Sequence, residues 1–241
     1  VDTSSGSFAV IETSGGAFDP RLSGDGQLVS FVANDGLCLA STDGAVVAQP
    51  IATEDSDTVS WGSAEFVAAE EMRRSRGHWW DPTSKKLAVT RVDVNDVSLW
   101  HIAAPNDPAR EPRAVRYPAA GTTNADVQLY VVDTEDLSRL EVVWNRSTHP
   151  YLVDVTWDDN QPLTLVVQSR DQRSMQVLEM VEDTGQTRMV LELADPDWVE
   201  IVPGTPRRWR DGWVPIQEHE QNRALLFNQQ QYHRPINGYG P

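Results

Sequence analysis

A chain of 241 residues has room for one or two domains and for a core that needs no staples. Its 36 acidic against 20 basic residues, a formal net charge of −16, argue against a nucleic-acid or anionic-membrane surface, both of which need a basic face. A single cysteine, Cys38, rules out an internal disulfide or a cysteine-held zinc, and nine tryptophans mark a folded chain rather than a disordered one.

The excess of acid suits a cationic partner, such as a peptide with a free amino terminus, although plain solubility explains the overall charge more simply. Val1-Asp-Thr-Ser-Ser-Gly6 has no initiator Met, basic region or apolar region, and is expected to lie inside a longer protein. No apolar stretch approaches the ~18 residues of a membrane-spanning helix. The compartment stays open, with a cytoplasmic location favoured over a periplasmic or secreted one.

In chain order, Leu28–Val32, Gly36–Ala40 and Ala45–Ala48 read as strands. They are separated by Asn34-Asp-Gly36 and Thr42-Asp-Gly44, the turn chemistry of β-hairpins. Cys38 falls inside the second of these runs and is expected to be a buried strand residue. Ser63–Ser75 breaks the β rhythm with helix formers. Ser63 is expected as its N-cap, Glu65 in its first turn, Arg73, Arg74 and Arg76 near its end, and Gly77 as its stop. Trp79-Trp-Asp-Pro-Thr-Ser84 leads into Lys86–Arg91 and Ser98–Ile102. Ala103–Gly121, with four prolines, reads as a loop or extended connection. Val153–Asp158 leads into Leu163–Val167, Ser174–Met180, Asp183-Thr-Gly185 and Arg188–Glu192. Trp209-Arg-Asp-Gly-Trp213 leads into Pro215–Gln217 and Ala224–Phe227. Asn228–Pro241 is polar and rich in turns. Aromatic or serine residues beside an Asp-containing turn, followed by two or three strands, recur often enough to indicate a β-propeller, with a β-sandwich as the rival. The expected fold is all-β: a partial propeller of three to four antiparallel blades with one short inserted helix, residues 1–241 forming a single domain.

Chemistry concentrates on the helix. Glu70 and Glu71 are adjacent and point ~100° apart, so they cannot share a proton as a catalytic dyad does. They can converge on a cation beyond the helix end, where an ammonium offers three donors. From spacing alone, a solvated helix with Glu70–Arg74 and Glu70–Arg73 pairs is the better reading. No serine stands in G-x-S-x-G, no histidines show H-x-x-x-H spacing, and no phosphate-binding glycine motif is present. His219 reads as a surface residue, and Asp154, Asp158 and Asp159 as turn formers without calcium-loop spacing. No metal and no cofactor is expected. Asn145-Arg-Ser147 matches a glycosylation acceptor, a match common by chance.

Ala64-Glu-Phe-Val-Ala-Ala-Glu-Glu-Met-Arg-Arg74, Gly77-His-Trp-Trp-Asp-Pro82 and Lys86-Leu-Ala-Val-Thr-Arg-Val-Asp93 together resemble the N-terminal propeller of dipeptidyl peptidase IV-like enzymes. Val115-Arg-Tyr-Pro-Ala-Ala-Gly-Thr-Thr-Asn124, Val127–Asp133 and Leu152–Trp157 extend the resemblance over roughly residues 20 to 200. It implies removal of dipeptides from peptide N-termini, with proline or alanine at the second position, by a Ser-Asp-His triad in a C-terminal α/β-hydrolase domain. It also implies that Glu70 and Glu71 bind the free substrate amine, and it is this resemblance that reverses the reading from spacing. The expected partners are therefore a peptide with a free N-terminus and the protein's own C-terminal hydrolase domain, with self-association through open sheet edges as a further expectation.

The chain departs from the family in length. The family's propeller is about twice as long, and the hydrolase domain has no counterpart here, so the chain alone is expected to be inactive. The family's carbonyl-binding arginine is not assigned. Arg21, the only arginine ahead of Glu70, reads as lying in a blade turn. The alternative function is a non-catalytic propeller-type protein-binding module. A glycosidase would need two carboxyls facing each other across a cleft, and no such pair is visible.

Overall fold

The computed structural model describes residues 6, 10–13 and 15–201, and beyond these the backbone of five short strands. The chain falls into two compact units, Val1–Val142 with Trp157–Asn160, and Val143–Thr156 with Gln161–Pro241.

The first unit opens with a four-stranded antiparallel sheet laid down in chain order: β1 (Phe18–Leu22), β2 (Leu28–Ala33), β3 (Gly36–Ser41) and β4 (Gln49–Ala52). β2 and β3 meet through Asn34 and Asp35, both at positive φ (49° and 60°), so the expected hairpin has the two left-handed residues of a type I′ turn. Cys38 lies in β3 as expected, partly buried, and burial raises its thiol pKa.

Two expectations fail in this sheet. Ala45–Ala48 is not a strand. The Asp43 carboxylate accepts from Ala45 N–H and the Ser41 hydroxyl oxygen from Val46 N–H, which prolongs the turn and leaves Val46 and Val47 exposed. Pairing starts only at Gln49. Arg21 lies not in a turn but in β1, opposite Ser30, with an ion pair to Asp19. Asp19 at φ 48° and a register shift between Phe18 and Arg21 make this strand bulged, so its sequence reads as a turn.

The second sheet contains β5 (Val59–Trp61), β6 (His78–Trp80), β7 (Lys86–Asp93), β10 (Asp126–Asp133) and β11 (Arg139–Val142). The order is β11-β10-β7-β5, and β6 also lies on β7. Leu87, Ala88 and Val89 are fully buried, the mark of a strand covered on both faces. With Val32, Leu37, Leu39 and Ile51 of the first sheet and Val59, Trp61 and Val132 of the second, Leu87 and Val89 form one apolar core. Each such fully buried side chain contributes ~1.5–3 kcal/mol. Between β6 and β7 the Asp81 carboxylate gathers the amides of Thr83, Lys85 and Lys86 at 3.1, 2.7 and 2.7 Å, which fixes the turn after Trp79-Trp80.

The proline-rich stretch 103–121 is not wholly a loop. It contains β9 (Arg113–Arg116), which, among the described residues, pairs with β8 (Leu99–Ile102) alone in an exposed two-stranded ribbon.

In the second unit, β12 (Tyr151–Thr156), β13 (Thr164–Gln168), β14 (Ser174–Met180) and β15 (Thr187–Ala194) again form an antiparallel sheet in chain order around Leu152, Leu165, Val167 and Val177. Farther on, β16 (Arg207–Trp209) pairs with β17 (Gly212–Val214), and β18 (Ile216–His219), β19 (Arg223–Leu226) and β20 (Arg234–Ile236) form a small sheet. The expected fourth unit falls here. Its links at 210–211, 215, 220–222 and 227, and the tail 228–241 apart from β20, lie outside the described residues. Each large sheet is a meander closed within its own stretch of chain. That is the blade pattern, not the strand exchange between sheets of a Greek-key sandwich.

Candidate functional site

β5 and β6 pair with the same side of β7, Trp61 opposite Arg91 and His78 opposite Val89. Only Thr90 lies between those partners. The two short strands are thus one strand opened at Thr90, where residues 62–77 leave the sheet and return. Thr90 stitches the neck. Its carbonyl accepts from Gly62 N–H (2.9 Å), its N–H donates to Gly77 O (2.8 Å), and its hydroxyl reaches Ser63 O (2.8 Å) and Gly77 O (3.1 Å). Gly62 sits at φ 82°. A Cβ on Gly77 would lie 2.5 Å from the Gly62 carbonyl carbon and closer still to Ser63 N and Thr90 Oγ1, so the neck closes only over glycine.

His78, with no exposed surface, donates from Nδ1 to Gly62 O at 3.0 Å. A carbonyl only accepts, so the proton is on Nδ1. Burial pushes the His78 pKa down, so the ring is held neutral. The excursion is narrowed further by a Ser63–Arg76 bridge and by Ala64 N–H donating to Ser75 O.

Within the excursion lies the short helix α1 (Phe66–Glu71). Its N-cap is Glu65, not the expected Ser63. The Glu65 carboxylate accepts from the N–H groups of Val67 and of Ala68 (2.9 Å), while Ser63 is occupied at the neck. Glu65 is buried, which raises its pKa, while Arg74 and the two amide donors pull the other way. The helix ends when Arg73 takes φ 56° and both Met72 and Arg74 return their N–H groups to Ala68 O. The stop therefore comes before Gly77, whose glycine serves the neck.

Glu70 and Glu71 stand exposed at the last turn of α1 and, among the described residues, neither carboxylate makes a hydrogen bond or ion pair. The Glu70–Arg74 and Glu70–Arg73 pairs suggested by spacing do not form. Arg74 is turned inward. It is 6% exposed, donates to Arg76 O at 2.6 Å and lies 5.9 Å over the Trp79 ring. Tyr117, just past β9, sits edge-on to Phe66 of α1 and to Trp100 of β8, at 5.2 and 5.0 Å. The Glu-Glu helix and the Arg-Tyr-Pro stretch thus meet in space.

Among the described residues nothing comparable gathers at the other sequence candidates. Among the described residues no group of three or more His, Cys, Asp or Glu is placed to hold a metal, and that covers Asp154, Asp158 and Asp159. The side chain of His219 lies outside the described residues. The sequence places Glu65 in the first turn and not at the cap, because glutamate is not a favoured N-cap, and it gives no sign of Thr90, because only the tertiary pairing gives that residue a role.

Residues 1–234 match the family described as dipeptidyl peptidase IV (DPP IV) N-terminal region. Dipeptidyl aminopeptidase B of Saccharomyces cerevisiae is 23% identical over 187 residues, covering 73% of this chain and 23% of that protein. Inactive dipeptidyl peptidase 10 of Rattus norvegicus is 29% identical over 160 residues, covering 63% and 20%. Among solved structures, Porphyromonas gingivalis dipeptidyl peptidase 4 superposes with a TM-score of 0.78 at 20% identity, over 95% of this chain and 33% of that one. The fold is therefore the propeller-type fold of those proteins, and the chain spans a third or less of their length.

Proposed function

The chain belongs to the dipeptidyl peptidase IV N-terminal region family, and from that membership we propose that it is the substrate-recognition part of a serine dipeptidyl peptidase, with Glu70 and Glu71 gripping the free α-amine of a peptide. The observation that carries this reading is the state of those two carboxylates. They are exposed, without partners among the described residues, at the end of a helix whose flanking Glu65 and Arg74 are turned inward while Arg73 is exposed. Two such carboxylates can each take a hydrogen bond and an ion pair from a primary ammonium, which has three donors and a positive charge, whereas an acylated N-terminus has one N–H and no charge.

Holding the amine sets a distance. With the first residue pinned, the bond after the second residue is presented to a serine nucleophile supplied by a C-terminal α/β-hydrolase domain of the full-length protein. Proline or alanine is the preferred second residue. The formal charge of −16 adds a field that draws cationic peptides in.

The test is hydrolysis of Gly-Pro-p-nitroanilide by the full-length protein. Glu70→Ala and Glu71→Ala are each expected to lower kcat/KM by about 100-fold, because a loosened anchor misplaces the scissile bond. Near-unchanged values would remove the site. A second reading, a non-catalytic propeller-type binding module, draws on one finding, the rat relative whose name describes it as inactive. That reading predicts no hydrolysis by the full-length protein.

A further inference from the structure

Six residues of helix cannot hold themselves in place, since isolated helices shorter than ~12–15 residues are marginal in water. Something else must fix the direction in which Glu70 and Glu71 point. The two charged side chains at either end of α1, Glu65 and Arg74, are both buried, at 7% and 6% exposure, in an excursion whose other charged side chains are exposed or half-buried. Burying a charge is unfavourable unless it is paired and hydrogen-bonded, and an exposed Ser or Asp would cap the helix at lower cost.

A side-chain bond from Glu65 and a main-chain bond from Arg74 converge on one residue. The Glu65 carboxylate accepts from Ala68 N–H at 2.9 Å, and the Arg74 main-chain N–H, placed by its buried side chain, donates to Ala68 O at 2.9 Å, so the fully buried Ala68 is held from both ends of the helix. Glu70 and Glu71 follow it by two and three residues. From there the connection runs to the sheet. The Arg74 guanidinium donates to Arg76 O, beside the Gly77 neck, and rests over Trp79 of β6. The positive φ of Arg73 is what turns Arg74 back underneath the helix.

We propose that Glu65 and Arg74 are positioning residues for the amine clamp, fixing the reach of Glu70 and Glu71 from the sheet; this rests on the amine-binding reading above. Neither side chain touches substrate in this account. Their loss misdirects the clamp, so the signature is a changed preference for a free amine and not merely a smaller amount of folded protein.

The experiment uses the full-length protein with Gly-Pro-p-nitroanilide and its N-acetyl derivative, each rate expressed per titrated active site. Glu65→Ala and Arg74→Ala are expected to raise KM for the free-amine substrate roughly tenfold and to lower its kcat/KM advantage over the acetylated one by at least about tenfold. Glu65→Asp, which keeps the carboxylate, should restore part of both. Should Glu65→Ala not fold, Glu65→Gln and Arg74→Lys carry the same test. Unchanged KM and amine preference, with only the titre of active sites reduced, would overturn the proposal and leave a purely structural role. Glu70→Ala and Glu71→Ala are measured alongside. If they abolish the amine preference while the Glu65 and Arg74 variants keep it, only the positioning role falls. If they too keep it, or if the wild-type protein hydrolyses neither substrate, the amine-binding reading falls with it.

Discussion

Replacing Gly77 by alanine perturbs the one place where the helix-bearing excursion joins the sheet. The new Cβ would lie 2.5 Å from the Gly62 carbonyl carbon, where ordinary contact begins at 3.4 Å, and it would also press on Ser63 N and Thr90 Oγ1. Two of those three neighbours are backbone atoms, so a side-chain rotation cannot relieve the clash. A retreat of that size breaks the 2.8 Å bond from Thr90 N–H to Gly77 O and loosens the 2.9 Å bond from Gly62 N–H to Thr90 O. Overpacking of this kind costs ~1–3 kcal/mol and each lost hydrogen bond ~0.5–1.5 kcal/mol. The reduced freedom of alanine in the unfolded chain returns only ~0.4–1 kcal/mol. The net local loss is about 2 kcal/mol, or about 30-fold in the local opening equilibrium. Amide hydrogen exchange of the full-length protein reads it directly, through faster exchange at Gly62 and Thr90. Protection within about threefold of wild type would refute the account of the neck.

Two further outcomes follow from the same sheet. The His78 pKa is lowered from 6.5 by burial, so the folded state refuses a proton that the unfolded chain accepts. The contribution of His78 to stability is complete above pH 6.5 and is lost as pH falls toward its lowered folded value. The thermal midpoint should therefore fall less steeply between pH 7.5 and 5 in His78→Gln than in wild type, and parallel curves would contradict this. Asp81→Ala leaves the part-buried amides of Lys85 and Lys86 without their 2.7 Å acceptor and should destabilise the protein by ~1–2 kcal/mol in denaturant melts. A change under ~0.5 kcal/mol would argue against the turn.

Where local chemistry decides the structure, the sequence was readable. β2 and β3 announce themselves through apolar runs on either side of Asn34-Asp35, and β7 and β10 through long stretches of branched residues. β1 was hidden because a bulge at Asp19 and Pro20 imitates a turn. β9 was hidden because an exposed ribbon buries little and carries no alternating apolar signal. Glu70 and Glu71 are proposed as the site on resemblance, not on spacing, and their surroundings explain why spacing points elsewhere. The inward-turned Arg74, the Glu65 cap and the Thr90 stitch are all tertiary facts. Nothing in residues 59–93 read in a line reveals that Trp61 and His78 belong to one opened strand.

In the proposed site a substrate ammonium and the two carboxylates recognise each other, and a double-mutant cycle isolates that interaction. The full-length protein and its Glu70→Gln, Glu71→Gln double variant are each assayed with Gly-Pro-p-nitroanilide and with its N-acetyl derivative, and kcat/KM is compared across the four combinations. Strong coupling is expected. Loss of the carboxylates should lower kcat/KM for the free-amine substrate at least about tenfold more than for the acetylated one, equivalent to ~1.4 kcal/mol or more. Equal losses on both substrates would mean that Glu70 and Glu71 do not bind the amine.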